Sequence, residues 1–182
     1  KTNDLLHQAS FYFKNIMLTN HYRSSHEQLI AYSNRYFYEG KLTTYPKPSA
    51  AYPIKVINAG GNFIERQNKA EAKIASKIIE EQLKKGNKEL GIVAFSKTQL
   101  SCILDELPPA LLDEIMDDDF PGFVQSLENV QGDQCSNLII SMGYAPNEQN
   151  EFHMRFGPLN QEQGQRRLNV LMSRAKEKIT FI

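Results

Sequence analysis

Six short runs rich in β-branched and other apolar side chains, at residues 16–18, 54–57, 91–95, 123–125, 138–142 and 179–182, constrain this chain more than any other feature it carries. Most are apolar at nearly every position rather than at every second one, so both faces of the strands they form must be covered. A sheet with one wet face would alternate; a continuous run belongs to a parallel sheet sandwiched between helices. The covering helices are legible between the runs. Residues 25–38 follow a Ser24-Ser25 cap, 66–85 stop at Gly86, 97–107 stop before Pro108, and 161–176 place leucine and methionine at helical spacing. Strand and helix alternate along the chain, and right-handed crossovers between parallel strands then give a three-layer α/β/α domain. The connections are expected at residues 43–53, with three prolines, at 117–122, with an acidic run, and at 145–160, the last long enough to suggest a functional loop.

With 182 residues and 41% hydrophobic content, one cored domain spanning residues 1–182 is expected rather than two. Basic and acidic side chains balance, 21 against 21, so no global field draws the chain onto nucleic acid or an anionic membrane, and any nucleic-acid contact must be local. Cys102 and Cys135 lie far apart, and the four histidines are scattered, with only His21 and His26 near each other. No metal site is expected from such spacing, and a reducing, cytoplasmic setting fits. No apolar run approaches the ~20 residues that cross a bilayer, and no membrane partner is expected. The chain begins at Lys1 and stops at Ile182 within a predicted strand, which reads as a piece of a longer protein.

Three segments carry groups suited to chemistry. RRLNVLMSRAK, residues 166–176, interleaves apolar side chains with Arg166, Arg167 and Arg174. Leu168, Leu171 and Met172 can face a core, which leaves the arginines either as a solvated face or as phosphate clamps, since a guanidinium stays charged and grips two oxygens at once. TNHYRS, residues 19–24, sets Tyr22 and Arg23 after a predicted strand, at the carboxyl edge where ligands of open α/β sheets collect. The tyrosine is either a flat surface for a base or a buried ring with an arginine at its rim. SLENVQGDQ, residues 126–134, follows another strand, and Gly132 beside Gln131 allows backbone amides to approach a ligand closely.

Taken in this order, the segments resemble the second RecA-like motor domain of superfamily 1 helicases, in the group that includes the helicase of nonsense-mediated decay. HYRSSHEQLIAYSNRYFYEGKL is similar to the family's motif IV region, SLENVQGDQCSNLIISMGY to motif V, and RRLNVLMSRAKEKITFI to motif VI with its following strand. FGPLN, residues 156–160, resembles a segment of bacterial multidomain helicase-like proteins. The resemblance implies an ATP site shared between two RecA-like domains. The first domain would supply the phosphate-binding loop, the groups that hold magnesium and the base that positions water; no G-x-x-x-x-G-K-S/T loop occurs in this chain.

On the same resemblance Arg174 and Arg23 reach the γ-phosphate and Tyr22 stacks near the adenine. Gln131 and Gly132 line the nucleotide, and Arg166 and Arg167 brace the loop or touch phosphate. A glutamate that usually binds ribose is Gln134 here, with Asp133 as a substitute. Ser96, Thr98, Ser126 and Asn129, as exposed loop residues, are the implied contacts to a DNA or RNA backbone. The implied activity is that of half an ATP-dependent helicase or translocase, inactive without its first domain. The competing expectations are a nucleic-acid or protein-binding module that kept the fold without turnover, and a free-standing flavodoxin-like domain, which lacks the necessary glycine loop.

Overall fold

The computed structural model describes residues 5–48, 52–153, 156–161 and 164–182. In chain order its elements are α1 (Leu5–Ala9), β1 (Asn20–His21), α2 (Glu27–Phe37), β2 (Thr43–Thr44), β3 (Ile54–Val56), α3 (Lys69–Lys84), β4 (Leu90–Ala94), α4 (Lys97–Asp105), α5 (Pro109–Met116), β5 (Phe123–Ser126), β6 (Cys135–Ser141), a 3-10 turn at Gly157–Asn160, α6 (Gly164–Met172) and β7 (Ala175–Phe181). Five strands make one sheet in the order β3-β7-β6-β4-β5, and every neighbouring pair is parallel.

The strand period of two splits the apolar runs between two cores. Val93, Phe95, Leu138, Ile140 and Ile179 meet Leu29 of α2 and Leu171 and Met172 of α6 on one face. Leu90, Ile92, Ala94 and Ile139 meet Ala72, Ala75 and Ile79 of α3, Ile103 of α4 and Ile115 of α5 on the other. The result is the expected three-layer α/β/α arrangement, built on a parallel sheet.

Local chemistry sets the helix ends. Asn68 caps α3, its side-chain oxygen accepting from the N–H groups of Ala70 and Glu71 at 3.1 and 3.3 Å. Ser96 caps α4 through the Gln99 N–H at 3.0 Å. The expected cap of α2 is different: His26 takes that position without a side-chain bond, because the Ser24 hydroxyl donates to Ala175 O instead.

Two expectations are corrected. Residues 16–18 form no strand, and Ile16 and Leu18 are 81% and 84% exposed; β-branched composition makes no strand where no neighbour offers a ladder. The two-residue β1 follows instead, paired only with β2, outside the main sheet. The last helix ends at Met172 rather than at residue 176, since Ala175 already pairs with Cys135 of β6. Helices α1 and α5 were not anticipated, although Pro109 in the first turn of α5 is a helix-start signal. Residues 49–51, 154–155 and 162–163, which fall within the predicted connections 43–53 and 145–160 and the helix 161–176, lie outside the described residues. Among the described residues no helix is long and apolar enough to cross a membrane.

A polar network sits inside the second core, at the carboxyl ends of β4 and β6. Gln99, fully buried, accepts from Asn68 N at 2.7 Å and donates to the Ser141 hydroxyl at 3.0 Å. That hydroxyl donates to Glu71 Oε1 at 2.7 Å, and Gly143 N–H donates to the same oxygen at 2.8 Å. Burial raises the Glu71 carboxyl above its usual range, against the opposing pull of these donors. The folded chain therefore holds this proton to higher pH than the unfolded chain. The corresponding stability is present below the unfolded carboxylate pKa and is lost as pH rises through the folded one. Urea titrations across that window are expected to show a falling unfolding free energy that Glu71→Gln lacks; identical pH slopes would contradict it.

Candidate functional site

The three sequence segments meet at one corner of the sheet, and hydrogen bonds to backbone carbonyls bring them there. Ser25 N–H donates to Lys176 O at 2.7 Å, Ser24 Oγ to Ala175 O at 3.3 Å, and Arg23 Nη1 to Ser173 O at 3.3 Å. The first segment is thereby laid along the start of β7. Within it, His21 Nε2 lies 2.9 Å from Ser24 Oγ and 3.2 Å from Ser24 N, which holds the ring against the turn. Burial, aided by the charge of Arg23, lowers the His21 pKa.

Arg174 stands in the turn between α6 and β7, and its guanidinium is held at three points. Nε donates to Val170 O at 2.8 Å, Nη1 to Asp133 O at 3.0 Å, and Nη2 to Ser173 Oγ at 3.1 Å. The acceptors are all neutral, and among the described residues neither Arg174 nor Arg23 forms a salt bridge. Partial burial lowers the Arg174 pKa and the nearby charge of Arg23 adds to the effect. The half-buried Arg174 and the exposed Arg23 thus stand near each other without a salt bridge among the described residues. The Asp133 carboxylate partly offsets the charge of Arg174, and the arrangement can accept a further anion.

This corner lies at the amino ends of β6 and β7, since Asp133 stands two residues before the first and Arg174 one before the second. The carboxyl-edge placement expected for Tyr22 and Arg23 is therefore corrected. The strand before them, β1, is not part of the main sheet, so its end is not the sheet's carboxyl edge. Tyr22 is 83% exposed, which removes the buried-ring alternative and leaves its face open.

The loop from Leu127 to Gln134 connects the two edges of the sheet. Leu127 and Val130 are buried in the first core, whereas Gln131 and Gly132 are exposed. Gly132 has φ +88 with open space around it, so backbone conformation rather than crowding calls for glycine there. Gln134 is exposed on a polar hollow that it shares with Gly132, Asp133, Lys176 and Glu89. Lys176 is engaged by Glu89 at 3.0 Å. The Asp133 carboxylate is engaged too, with Oδ2 accepting from Gln125 Nε2 at 3.0 Å.

Arg167 donates from Nη1 to Gln161 Oε1 at 2.9 Å, across to the stretch before α6, and Arg166 is exposed. Of the residues named for a nucleic-acid backbone, Ser96 and Thr98 stand at the start of α4 and Asn129 is exposed, all near the carboxyl edge. Ser126 departs from expectation: it is only 2% exposed and ends β5, because the chain folds inward there to bury Leu127. Gln125, His21, Ser24 and Ser173 shape the corner and were not singled out. Ser173 serves Arg23 through its backbone carbonyl, which leaves no trace in side-chain chemistry.

A family described as an AAA domain matches residues 55–182. An uncharacterized ATP-dependent helicase of Mycoplasma pneumoniae is 31% identical over 176 residues, covering 90% of this chain. Its counterpart in Mycoplasma genitalium is 32% identical over 177 residues, again covering 90%. The chain spans 15% of the length of each of these relatives. Among solved structures, the C-terminal domain of a possible DNA helicase from Lactobacillus plantarum WCFS1 is similar in fold, with a TM-score of 0.51 at 14% identity, over 88% of this chain and 85% of that one.

Arg174 also has a purely structural duty, because it joins the loop before β6 to the turn before β7. Arg174→Met is expected to lower the unfolding free energy by about 1–3 kcal/mol, the range for losing hydrogen bonds from a charged donor. Denaturant titration checks this, and an unchanged midpoint would show that the three bonds contribute nothing.

Proposed function

The chain belongs to the AAA domain family, and from that premise we propose that it is the second RecA-like half of an ATP-dependent superfamily 1 helicase or translocase. In this reading the first RecA-like domain of the same polypeptide binds ATP with magnesium, and the present chain supplies the opposing wall.

The observation that supports it best is the state of Arg174. A guanidinium has five N–H donors; three are used, by Val170, Asp133 and Ser173, and two remain, one on each terminal nitrogen. Terminal donors of a guanidinium can bind phosphate oxygens. Arg23, with a single hydrogen bond to Ser173 O, adds a second cation. Both are assigned to the γ-phosphate as it becomes charged in transfer, Arg174 as the finger. ATP fits this corner chemically, because neither guanidinium group is salt-bridged among the described residues and the phosphates would supply an anion to both. Magnesium, held by the other domain, would neutralise the same phosphates when bound.

Tyr22 offers its open face to the adenine. Gln131, Gly132 and Gln134 line the sugar side, where Gln134 replaces a charged acceptor by a neutral amide. Arg167, tied to Gln161, braces the stretch before α6. At the far edge Ser96, Thr98 and Asn129 are assigned to the phosphates of DNA or RNA, with Ser126 holding the turn beneath them. The balanced charge of the chain is consistent with a small number of local backbone contacts.

Arg174→Ala in the full-length protein is expected to cut nucleic-acid-stimulated ATP turnover by ~10³ or more, and Arg23→Ala to cut it strongly as well. Wild-type turnover in Arg174→Ala would remove the finger assignment. The chain alone is expected to show no ATPase with or without nucleic acid. Gln134→Glu is expected to tighten nucleotide binding in a titration of the full-length protein, and unchanged affinity would dismiss the ribose assignment.

A further inference from the structure

We infer that Gln125 is a positioning residue for Arg174, acting through Asp133; this rests on Arg174 being the phosphate-contacting group proposed above. Gln125 is the penultimate residue of β5, and its register partner is Val93. Val93 belongs to the core under α2 and α6, so Gln125 faces the same side of the sheet. Beyond Ser126 the chain turns back across that side, buries Leu127 and Val130 in the core, and reaches the amino end where β6 begins. Gln125 lies beneath the returning loop.

Two hydrogen bonds then run through one residue. Gln125 Nε2 donates to Asp133 Oδ2 at 3.0 Å, and Arg174 Nη1 donates to the carbonyl of the same Asp133 at 3.0 Å. An edge strand is thus connected to a guanidinium by way of a single loop residue. Leu127 and Val130 anchor the earlier part of that loop, but Gly132, at φ +88 with nothing packed against it, intervenes before Asp133. Glycine at that point passes little restraint onward. Gln125 is therefore the side chain that restrains Asp133 from the sheet.

The orientation of the amide supports the same conclusion. Gln125 Oε1 is buried and has no hydrogen-bond partner among the described residues. Turning the amide over would set that oxygen against the Asp133 carboxylate, acceptor against acceptor, so Nε2 must face Asp133. With its oxygen unpartnered among the described residues, the amide is held through its donor. The donor fixes a loop, and the loop fixes the cation. Small displacements of a group at a transferring phosphoryl are expressed in turnover more than in ground-state binding.

The test measures steady-state ATPase of the full-length protein with saturating single-stranded nucleic acid. Gln125→Leu is expected to lower kcat about tenfold and to leave the KM for ATP within about twofold. Combined with Arg174→Lys, it is expected to add little to the loss that Arg174→Lys causes alone, because both act through one guanidinium. A merely structural role would make the two losses multiply, and multiplication would overturn the inference, as would a wild-type kcat. Should Gln125→Leu fold poorly, Gln125→Met keeps the length of the side chain and removes the donor, and the same loss of kcat is expected; full turnover in that variant overturns the inference. If Gln125→Leu turns over normally while Arg174→Lys is impaired, the positioning role alone fails. If Arg174→Lys itself is indistinguishable from wild type, the finger assignment fails and takes this inference with it.

Discussion

The parallel pairing of β6 with β7, with Cys135 opposite Ala175, is the constraint from which the corner described above follows. Each strand is preceded by a loop that carries polar groups, and the register decides which of those groups are neighbours. Cys135 N–H donates to Arg174 O at 3.1 Å, extending the ladder by one step into the turn. Asp133 and Arg174 are then side by side because they are the residues just ahead of two paired strands. The segment with Arg23 is added to the same ladder from outside, through the carbonyls of Ala175 and Lys176. Burial seals the arrangement: Cys135 and Ala175 are completely covered, and the Cys135 thiol is pushed up to about 12. That sulfur is a packing group and not a nucleophile at neutral pH.

Charge is distributed differently from packing. The whole chain balances 21 basic against 21 acidic side chains, yet two arginines gather at one corner where every close acceptor is neutral. Some cations elsewhere are paired locally, as Lys176 is with Glu89 and Lys88 with Glu114. Arg23 and Arg174 form no salt bridge among the described residues, and the Asp133 carboxylate acts on Arg174 as a partial counter-charge. The buried polar network of Asn68, Glu71, Gln99 and Ser141 has the opposite character, with donors and acceptors matched inside the core. It fixes the helix starts at the other edge of the sheet.

Much of the architecture was legible because it depends on patterns short enough to read. The runs at residues 91–95 and 138–142 had to be doubly buried, and they became the centre of the sheet. What failed to show depended on partners distant in sequence. Residues 16–18 have strand composition but no strand to pair with, and the end of α6 was set by Cys135, some 39 residues before Arg174. The edge on which Arg23 would lie could not be read either, because whether β1 joins the main sheet is a question of tertiary pairing. The segments of the corner were recognisable as a set, but the bonds that orient them were not. Most go to backbone carbonyls, which every residue type possesses.

The anchoring of Ser24 and Ser25 to the first residues of β7 has a mechanical meaning. Arg23 and Arg174 are mounted on the same rigid piece, since one is tied to the strand and the other directly precedes it. A displacement of this domain as a body would carry both cations together, with their separation preserved. An anion approaching from outside would gain or lose the two contacts in a single event. Such an arrangement behaves as a latch with two teeth on one bolt, giving a sharper distinction between engaged and disengaged than two independently moving side chains could.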